Sequence, residues 1–233
     1  MNAEDSLPPL LGDGHGKYRV HIVGNSGSGK STTATALAKI LNLPCISMDR
    51  IMWQPGWVQT PTEEFQAKLR KQLDQASGSW IVEGNYESVG GLMALEESTD
   101  VICEFFAVTL VLDSKDAFTP GLDPPLMLYF PRLILRTFMR LFRLKEPCSP
   151  GCFEKPSEVF FSKDSIIWWC ISHHWTMKRR CKARMEKIGI ETGSDVERRR
   201  MRRLGGWGSS VKRWLFDVET MVQSKNSESR KAI

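Results

Sequence analysis

A glycine-rich segment near the amino terminus carries the clearest chemical pattern in the chain. Residues 24–31 read Gly-Asn-Ser-Gly-Ser-Gly-Lys-Ser and match GxxxxGK[ST] at every specified position. Glycines let backbone N–H groups approach a phosphate, the lysine reaches the β- and γ-phosphates, and the serine hydroxyl binds Mg²⁺. The pattern predicts a loop that binds a nucleoside triphosphate; a structural glycine turn is the alternative. The predicted ligands are Gly24, Asn25, Ser26, Gly27, Ser28, Gly29, Lys30, Ser31 and Thr32.

Two acidic residues stand at the ends of short apolar segments that are typical of β-strands. Asp49 follows residues 44–48, and Glu83 ends residues 80–83. Ligands of open α/β sheets bind beyond the carboxyl ends of the strands, so both carboxylates should lie near the phosphates. We expect Asp49 to accept a substrate hydroxyl proton or hold a metal-bound water, and Glu83 to hold Mg²⁺ through water beside Ser31. A helix N-cap for Asp49 and a solvated strand-end charge for Glu83 are the alternatives.

Four arginines recur at helical spacing in the second half of the chain. Within residues 126–145 they follow the spacing i, i+4, i+8 and i+11, so one helix face would carry all four. Such a series resembles the arginine-rich lid of small phosphotransferases, which neutralises charge on the transferred phosphoryl group. We expect at least two of them to contact phosphates; a solvated basic face is the alternative. The series is Arg132, Arg136, Arg140 and Arg143, with catalytic roles expected for Arg136 and Arg140.

A compact aromatic loop follows Asp49. Residues 53–57 read Trp-Gln-Pro-Gly-Trp. Aromatic faces stack on flat ligands, so this loop is a candidate wall for an acceptor pocket. Packing of both tryptophans in the core is the equally open alternative.

Strands and helices alternate along the first hundred residues in the way that a parallel α/β sheet requires. Short β-favouring runs end in glycine or aspartate, and the segments between them carry apolar residues at helical spacing. This order predicts a three-layer α/β/α P-loop fold with a parallel sheet and right-handed crossovers. The predicted strands are residues 18–23, 44–48, 80–83 and either 101–102 or 108–112. The predicted helices are residues 30–41, 62–75 with Thr62 as N-cap, 126–145, one or two within 157–188, and 207–222.

The composition is that of an ordinary globular chain. Of the 233 residues, 41% are hydrophobic and 25% are charged, which excludes a collagenous or wholly disordered protein. Residues 1–16 lack the basic and apolar regions of a secretory signal, and no apolar run reaches the roughly 18 residues of a membrane span. We expect a cytoplasmic protein with no membrane partner, and the nucleus is the alternative. The predicted organisation is a flexible arm over 1–16, a P-loop domain over 17–223 and a disordered tail over 224–233.

Charge is divided unevenly along the chain. The formal net charge is +5, but residues 1–125 carry a net −7 and residues 126–233 a net +12. Such asymmetry indicates an anionic partner for the second half, either phosphate groups or nucleic acid. Two basic runs, 178–184 and 198–203, are nucleic-acid or nuclear-localisation patches in one interpretation and charged helix faces in the other. We favour phosphate, which leaves nucleic acid as the less favoured partner.

The order of the motifs resembles one known family. After the phosphate loop come Met-Asp-Arg-x2-Trp-x-Pro-Gly-Trp ending at Trp57, Trp-Ile-Val-Glu-Gly-Asn-Tyr at 80–86 and Leu-Asp-Pro-Pro at 122–125. This order is similar to that of the adenylate-kinase-like P-loop proteins named DNA topology modulation protein, or FlaR-related. Residues 204–207, Leu-Gly-Gly-Trp, resemble the fungal members, and the likeness spans roughly residues 18–215.

The resemblance implies a nucleoside- or nucleotide-kinase-like fold with ATP as donor and an arginine-rich helical lid. By position, residues 24–32 would bind ATP and Mg²⁺, Asp49 and Glu83 would serve the reacting centre, and the lid at about 126–188 would supply positive charge. One departure matters, because the family passes almost directly from Asp-x-Ile to Leu-Asp-x-Pro. Residues 104–121 separate these motifs here, and our hypothesis is a retained intron or a species-specific insertion.

Taken together, the motifs predict an ATP-dependent phosphotransferase whose partners are ATP and a small-molecule acceptor, a nucleotide or nucleoside. The rival is a regulatory protein associated with nucleic acid that binds and slowly hydrolyses nucleoside triphosphates. The sequence does not specify an oligomeric state.

Overall fold

The computed structural model describes residues 7–104, 124–154, 166–204 and 209–231, and five of its strands form one parallel sheet. These strands are β1 (Arg19–Gly24), β2 (Cys45–Ser47), β5 (Trp80–Glu83), β6 (Asp100–Glu104) and β7 (Met201–Leu204). Their order across the sheet is β2-β5-β1-β6-β7, and all four neighbouring pairs are parallel. A short antiparallel hairpin is formed by β3 (Trp53–Gln54) and β4 (Val58–Gln59).

Helices connect the strands and cover both faces of the sheet. They are α1 (Lys30–Leu41), α2 (Met48–Met52), α3 (Thr62–Gln75), α4 (Gly91–Glu97), α5 (Pro124–Leu141), α6 (Ile166–Ile188) and α7 (Ser209–Lys231). Single 3₁₀ turns occur at Glu87–Val89 and Val196–Arg198. Among the described residues, none of the helices combines the length and the apolar character that crossing a membrane requires.

The alternation of side chains along β1 assigns one helical layer to each face of the sheet. Val20 and Ile22 are fully buried in a cluster that also contains Leu37 of α1 and Trp214 of α7. On the opposite face, α3 packs against β5, and α6 packs against β6 and β7. Because successive strand residues point to opposite faces, one central strand supports both layers. The predicted three-layer α/β/α fold is therefore confirmed.

The strand register brings three carboxyl ends together. Ile22 lies opposite Glu83 of β5, and Gly24 lies opposite Glu104 of β6. The loop after β1 therefore begins between two strand ends that each carry a glutamate, which is the edge where ligands bind in open α/β sheets.

Several predicted bounds are confirmed, and two local details are wrong. The helices predicted at 30–41 and 62–75 and the strand predicted at 80–83 have these bounds in the structure. The second strand, however, ends at Ser47, and Met48 and Asp49 open α2, where a carboxylate suits the positive end of the helix. Thr62 is the first helical residue rather than the N-cap, which is Pro61.

The described parts of the expected arm and tail, residues 7–16 and 224–231, are more ordered than their composition suggests. Within the expected arm, the backbone N–H groups of Leu11 and Gly12 donate to the carboxylate of Asp100 at 2.7 and 3.0 Å. Within the expected tail, α7 continues to Lys231, and Lys225 Nζ donates to the hydroxyl of Tyr18 at 2.7 Å. Both contacts join segments far apart in sequence, so local composition could not reveal them.

Part of the sequence prediction lies outside the described residues. This holds for the alternative strand at 108–112, for residues 105–121 of the expected insertion, and for 205–207 of the fungal-type segment. Glu104, the first residue of that expected insertion, is the last residue of β6.

Candidate functional site

The glycine-rich loop joins β1 to α1 in the arrangement that the sequence predicts. Gly29 is the N-cap of α1 and has φ 111°, a conformation that L side chains rarely adopt, so glycine is required there. Lys30 Nζ donates to the backbone oxygen of Asn25 at 2.8 Å, which folds the lysine over its own loop. The first residues of this twelve-residue helix line the cleft, and a helix N-terminus favours an anion there.

Asn85 holds the start of this loop. Its Oδ1 accepts the N–H of Gly24 at 3.1 Å, and its Nδ2 donates to the carbonyl of Gly24 at 2.7 Å. The two hydrogen bonds hold the backbone N–H and the backbone carbonyl of Gly24, the residue where β1 ends, so the side chain fixes this residue at two points. The sequence prediction missed Asn85 as a site residue; its position two residues after a strand-ending glutamate was the available signal.

Glu83 ends β5 beside the start of the loop, and two serines hydrogen-bond its carboxylate. Ser47 Oγ donates to Glu83 Oε1 at 2.5 Å, and the hydroxyl of Ser31 also hydrogen-bonds the carboxylate. Burial raises the pKa of Glu83 above its usual range, the charge of Asp49 raises it further, and Lys30 opposes both effects. Glu83 and Ser31, the two residues expected to hold Mg²⁺, are therefore neighbours.

Glu104 is a second carboxylate at the loop, and the sequence prediction missed it by assigning it to the insertion. It is 3% exposed, and a Cβ added to Gly29 would come within 3.2 Å of its Oε2. Burial raises the pKa of Glu104 to about 6, against the opposing effects of a hydrogen bond from Thr33 and the charge of Lys30. Its Oε1 has no hydrogen-bond partner among the described residues.

Asp49 faces the same cleft from the first turn of α2. Its Oδ1 accepts a hydrogen bond from the hydroxyl of Tyr86 at 2.7 Å, and Trp53 Nε1 donates to that hydroxyl at 3.0 Å. Neither the strand-end position nor the helix-cap alternative predicted this arrangement, because Tyr86 comes from the loop after β5.

The aromatic loop predicted at residues 53–57 is the β3–β4 hairpin, and the segment 148–154 lies on it. Gly56 N–H donates to Gly151 O at 3.1 Å, and Ser149 Oγ donates to Trp53 O at 2.6 Å. Trp57 Nε1 donates to Phe153 O at 3.1 Å, and the two indoles meet edge to face with centroids 5.7 Å apart. Both tryptophans are half-buried and line the cleft, so they serve packing and cleft wall together.

The arginine series divides in the structure. Arg136 Nη2 donates to Ser26 Oγ of the phosphate loop at 3.1 Å, and Arg140 lies 3.8 Å from Glu154. Arg143 is wrongly predicted to share their helix face, because α5 ends at Leu141 and Arg143 has φ 57°, with its guanidinium over the ring of Phe153. The side chain of Arg132 lies outside the described residues. Of the three arginines whose side chains are described, Arg136 and Arg140 line the cleft, and they are the two with predicted catalytic roles.

One cleft with a volume of about 2440 Å³ is lined by the phosphate loop together with Asp49, Trp53, Trp57, Asn85, Tyr86, Glu104, Arg136 and Arg140. Ligand pockets for one small molecule usually measure about 300–1,000 Å³, so this cleft has room for two ligands side by side. The phosphate loop and the group of Asp49, Trp53 and Tyr86 are thus parts of the same cleft lining.

Several arginines of the two basic runs make contacts within the fold. Arg184 pairs with Glu87 at 3.0 Å, and Arg202 Nη2 donates to Pro8 O at 2.6 Å. Arg199 Nε donates to Gly193 O at 2.8 Å, and Arg200 Nη2 to Leu95 O at 3.4 Å. The contacts of Arg199, Arg200 and Arg202 hold β7 in place, which weakens the nucleic-acid interpretation of the run 198–203.

Comparison with known proteins gives distant similarities. No family model matches the chain. A gluconokinase from Sinorhizobium meliloti 1021 is 14% identical over 91% of this chain and 99% of its own, with a TM-score of 0.42. A sugar kinase from Janibacter sp. HTCC2649 is 17% identical over 72% and 97%, with a TM-score of 0.29. The fold class is assigned from the chain itself. A parallel sheet with the glycine-rich loop after its central strand is a P-loop kinase-like α/β fold.

Proposed function

We propose that the protein is an ATP-dependent kinase that transfers the γ-phosphoryl group of ATP to a small acceptor of the nucleotide or nucleoside type. The observation that carries the proposal is that one cleft contains the phosphate loop, the carboxylate of Asp49 and two arginines of α5. A triphosphate on the loop and an acceptor beside Asp49 would occupy this cleft together.

The phosphate side is supplied by the loop and by α5. The loop at residues 24–32, including Lys30, would bind the phosphates, and Asn85 keeps Gly24 in place for this task. Arg136, already hydrogen-bonded to Ser26, would neutralise charge on the transferred group, and Arg140 would do so from one helical turn further on.

The residues near Ser31 fit a magnesium ion. Ser31 contacts Glu83, and Glu104 adds a buried oxygen without a partner among the described residues, so the donors are the oxygens that Mg²⁺ prefers. The described residues hold no group of three His, Cys, Asp or Glu side chains suited to a metal ion on their own, so the cation would share its ligands with phosphate oxygens. When bound, it would neutralise the β- and γ-phosphates.

Asp49 performs the acceptor chemistry in this proposal. Its carboxylate would take the proton of the acceptor hydroxyl while the acceptor oxygen bonds to the γ-phosphorus. The bond from that phosphorus to the bridging oxygen breaks, and ADP leaves. The half-buried indoles of Trp53 and Trp57 would hold a flat acceptor beside Asp49.

The test is a screen for acceptor-dependent ADP release. The panel contains adenosine, guanosine, cytidine, uridine, thymidine and their 5′-monophosphates, followed by small hydroxylated metabolites, and the phosphorylated product is identified by mass. In the variant Asp49→Asn we expect kcat to fall by about 10²–10⁴-fold with little change in the Kd for ATP, because the base acts on the acceptor. Asp74→Asn is the matched control, since Asp74 is exposed on α3 and pairs with Arg70.

A different result would favour the rival function. If no panel member raises ADP release and Asp49→Asn leaves hydrolysis unchanged, the protein binds and hydrolyses nucleoside triphosphates without transfer. A salt-dependent shift with duplex DNA that disappears when Arg198 and Arg203 are neutralised would then identify its partner as nucleic acid.

A further inference from the structure

A chain of two hydrogen bonds links Trp53, Tyr86 and Asp49, the candidate base. Trp53 Nε1 donates to Tyr86 Oη at 3.0 Å, and Tyr86 Oη donates to Asp49 Oδ1 at 2.7 Å. An indole N–H can only donate, so the phenol oxygen accepts from Trp53 and has its single proton available for Asp49. The direction of both hydrogen bonds is thus determined by chemistry.

The phenol ring has little freedom to move. The ring of Tyr86 packs against Phe65 of α3 with ring centroids 5.8 Å apart. Burial, followed by the charge of Asp49, raises the pKa of Tyr86 far above its usual value, so the hydroxyl stays protonated across the physiological range. Tyr86 is therefore a permanent donor to Asp49.

The three residues come from three different elements. Asp49 belongs to α2, Trp53 begins β3, and Tyr86 follows β5. The segment 148–154 adds a fourth connection, because Ser149 Oγ donates to Trp53 O at 2.6 Å. A link of this kind determines where one carboxylate oxygen lies relative to the cleft, while Asp49 Oδ2 has no hydrogen bond with a described residue.

We propose that Tyr86, oriented by Trp53, is a positioning residue that fixes Oδ1 of Asp49 and thereby directs Oδ2 toward the acceptor hydroxyl. This inference rests on the proposed kinase function, since it assigns the base of that reaction its geometry. Positioned groups contribute to rate by holding a near-attack arrangement, so a loss of positioning lowers kcat more than it changes substrate binding.

The decisive variant is Tyr86→Phe, which removes the hydroxyl and keeps the ring on Phe65. With the panel member that gives the highest kcat/KM, we expect kcat to fall about tenfold with little change in the Kd for ATP. Trp53→Phe should produce a smaller fall, because it leaves the bond between Tyr86 and Asp49. Tyr18→Phe is the matched control: that hydroxyl accepts from Lys225 near the ends of the chain, so kcat should remain at the wild-type value.

A double-mutant cycle separates positioning from a structural role. In the Asp49→Asn background, Tyr86→Phe should cause no further loss of kcat, because the base it positions is gone. An equal tenfold loss in both backgrounds would show that Tyr86 acts through the fold and would overturn the inference.

Indole N–H signals in a ¹H–¹⁵N spectrum test the chain without an acceptor. In Tyr86→Phe the Trp53 indole signal should shift toward that of an unbonded N–H, and the Trp57 signal should stay, because Trp57 donates to Phe153 O. An unmoved Trp53 signal would contradict the chain. If the wild-type protein transfers phosphate while Tyr86→Phe keeps full kcat, the positioning role alone fails; if the wild-type protein phosphorylates no panel member, the proposed function fails and this role with it.

Discussion

Asparagine is the residue type that the start of the phosphate loop requires at position 85. Gly24 offers one N–H and one carbonyl to the same side chain, at 3.1 and 2.7 Å, so the partner must both accept and donate. A carboxamide does both, whereas the isosteric carboxylate only accepts. The two-point contact with Gly24 therefore depends on one nitrogen atom.

The variant Asn85→Asp should loosen the loop at constant side-chain size. It replaces the 2.7 Å donation to Gly24 O by two oxygens facing each other, which should cost about 1–3 kcal/mol of unfolding free energy. We also expect the Kd for ATP to rise by at least about tenfold, the equivalent of about 1.4 kcal/mol. Urea unfolding and ATP titration measure the two effects, and Asn226→Asp on the exposed side of α7 is the control.

Site residues that belong to a local sequence motif could be predicted. Site residues whose partners are distant in sequence could not. The phosphate loop and Glu83 follow from spacing and from their positions after strands. The partners of Gly24 and Asp49 are 61 and 37 residues away, so only the sheet order brings them together. Glu104 escapes prediction for another reason. Residues 104–121 depart from the pattern of the resembling family, so the sequence indicates an insertion that begins at Glu104.

At the scale of elements, the docking of segment 148–154 on the β3–β4 hairpin closes one wall of the cleft. Gly151 makes this docking possible, since it has φ 77° and a Cβ there would lie 2.8 Å from the Cβ of Pro55. Helical spacing predicted α5 but not its end, so the sequence extended the arginine face to Arg143. In the structure α5 ends at Leu141, and the chain after it continues to segment 148–154 on the hairpin.

The variant Gly151→Ala should open this wall. A methyl group there meets Pro55, so the segment should lift from the hairpin and the KM for the acceptor should rise about tenfold, while the Kd for ATP stays constant. Gly14→Ala is the control with matched backbone strain, because Gly14 has φ 78° and nothing within 4 Å of an added Cβ. Equal effects of the two substitutions on KM would contradict a role for docking, since strain alone would then explain both.

At the scale of the whole molecule, the charge division along the chain reflects how the two halves assemble. The acidic half forms four of the five strands of the main sheet, and the basic half adds β7 beside β6 and α7 beside α1. Arg200 and Arg202 donate to carbonyls of Leu95 and Pro8, which belong to the acidic half. Arg200 and Arg202 thus help join the halves, and Arg136 and Arg140 line the cleft.

His21 connects the stability of this assembly to pH, because it lies in the central strand and is 1% exposed. Its Nε2 contacts the carbonyl of Gly84 at 2.8 Å, so this nitrogen carries the proton of the neutral ring. Burial lowers the pKa of His21 to about 4, and the charge of Arg184 acts in the same direction, against the hydrogen bond to Gly84. Between pH 6.5 and about 4 the unfolded chain therefore binds a proton at this residue that the folded chain excludes.

The variant His21→Gln should remove this dependence while keeping a donor for Gly84 O. Because the pKa is lowered on folding, the contribution of His21 is fully present above pH 6.5 and is lost as the pH falls toward 4, by about 3 kcal/mol of unfolding free energy in total. The buried carboxylates Glu83 and Glu104, whose pKa values are raised, act in the opposite direction in both proteins. Urea unfolding of wild type and variant between pH 7.5 and 4.5 isolates the histidine: the stability of the wild type relative to the variant should fall with pH, and parallel curves would contradict a buried neutral His21.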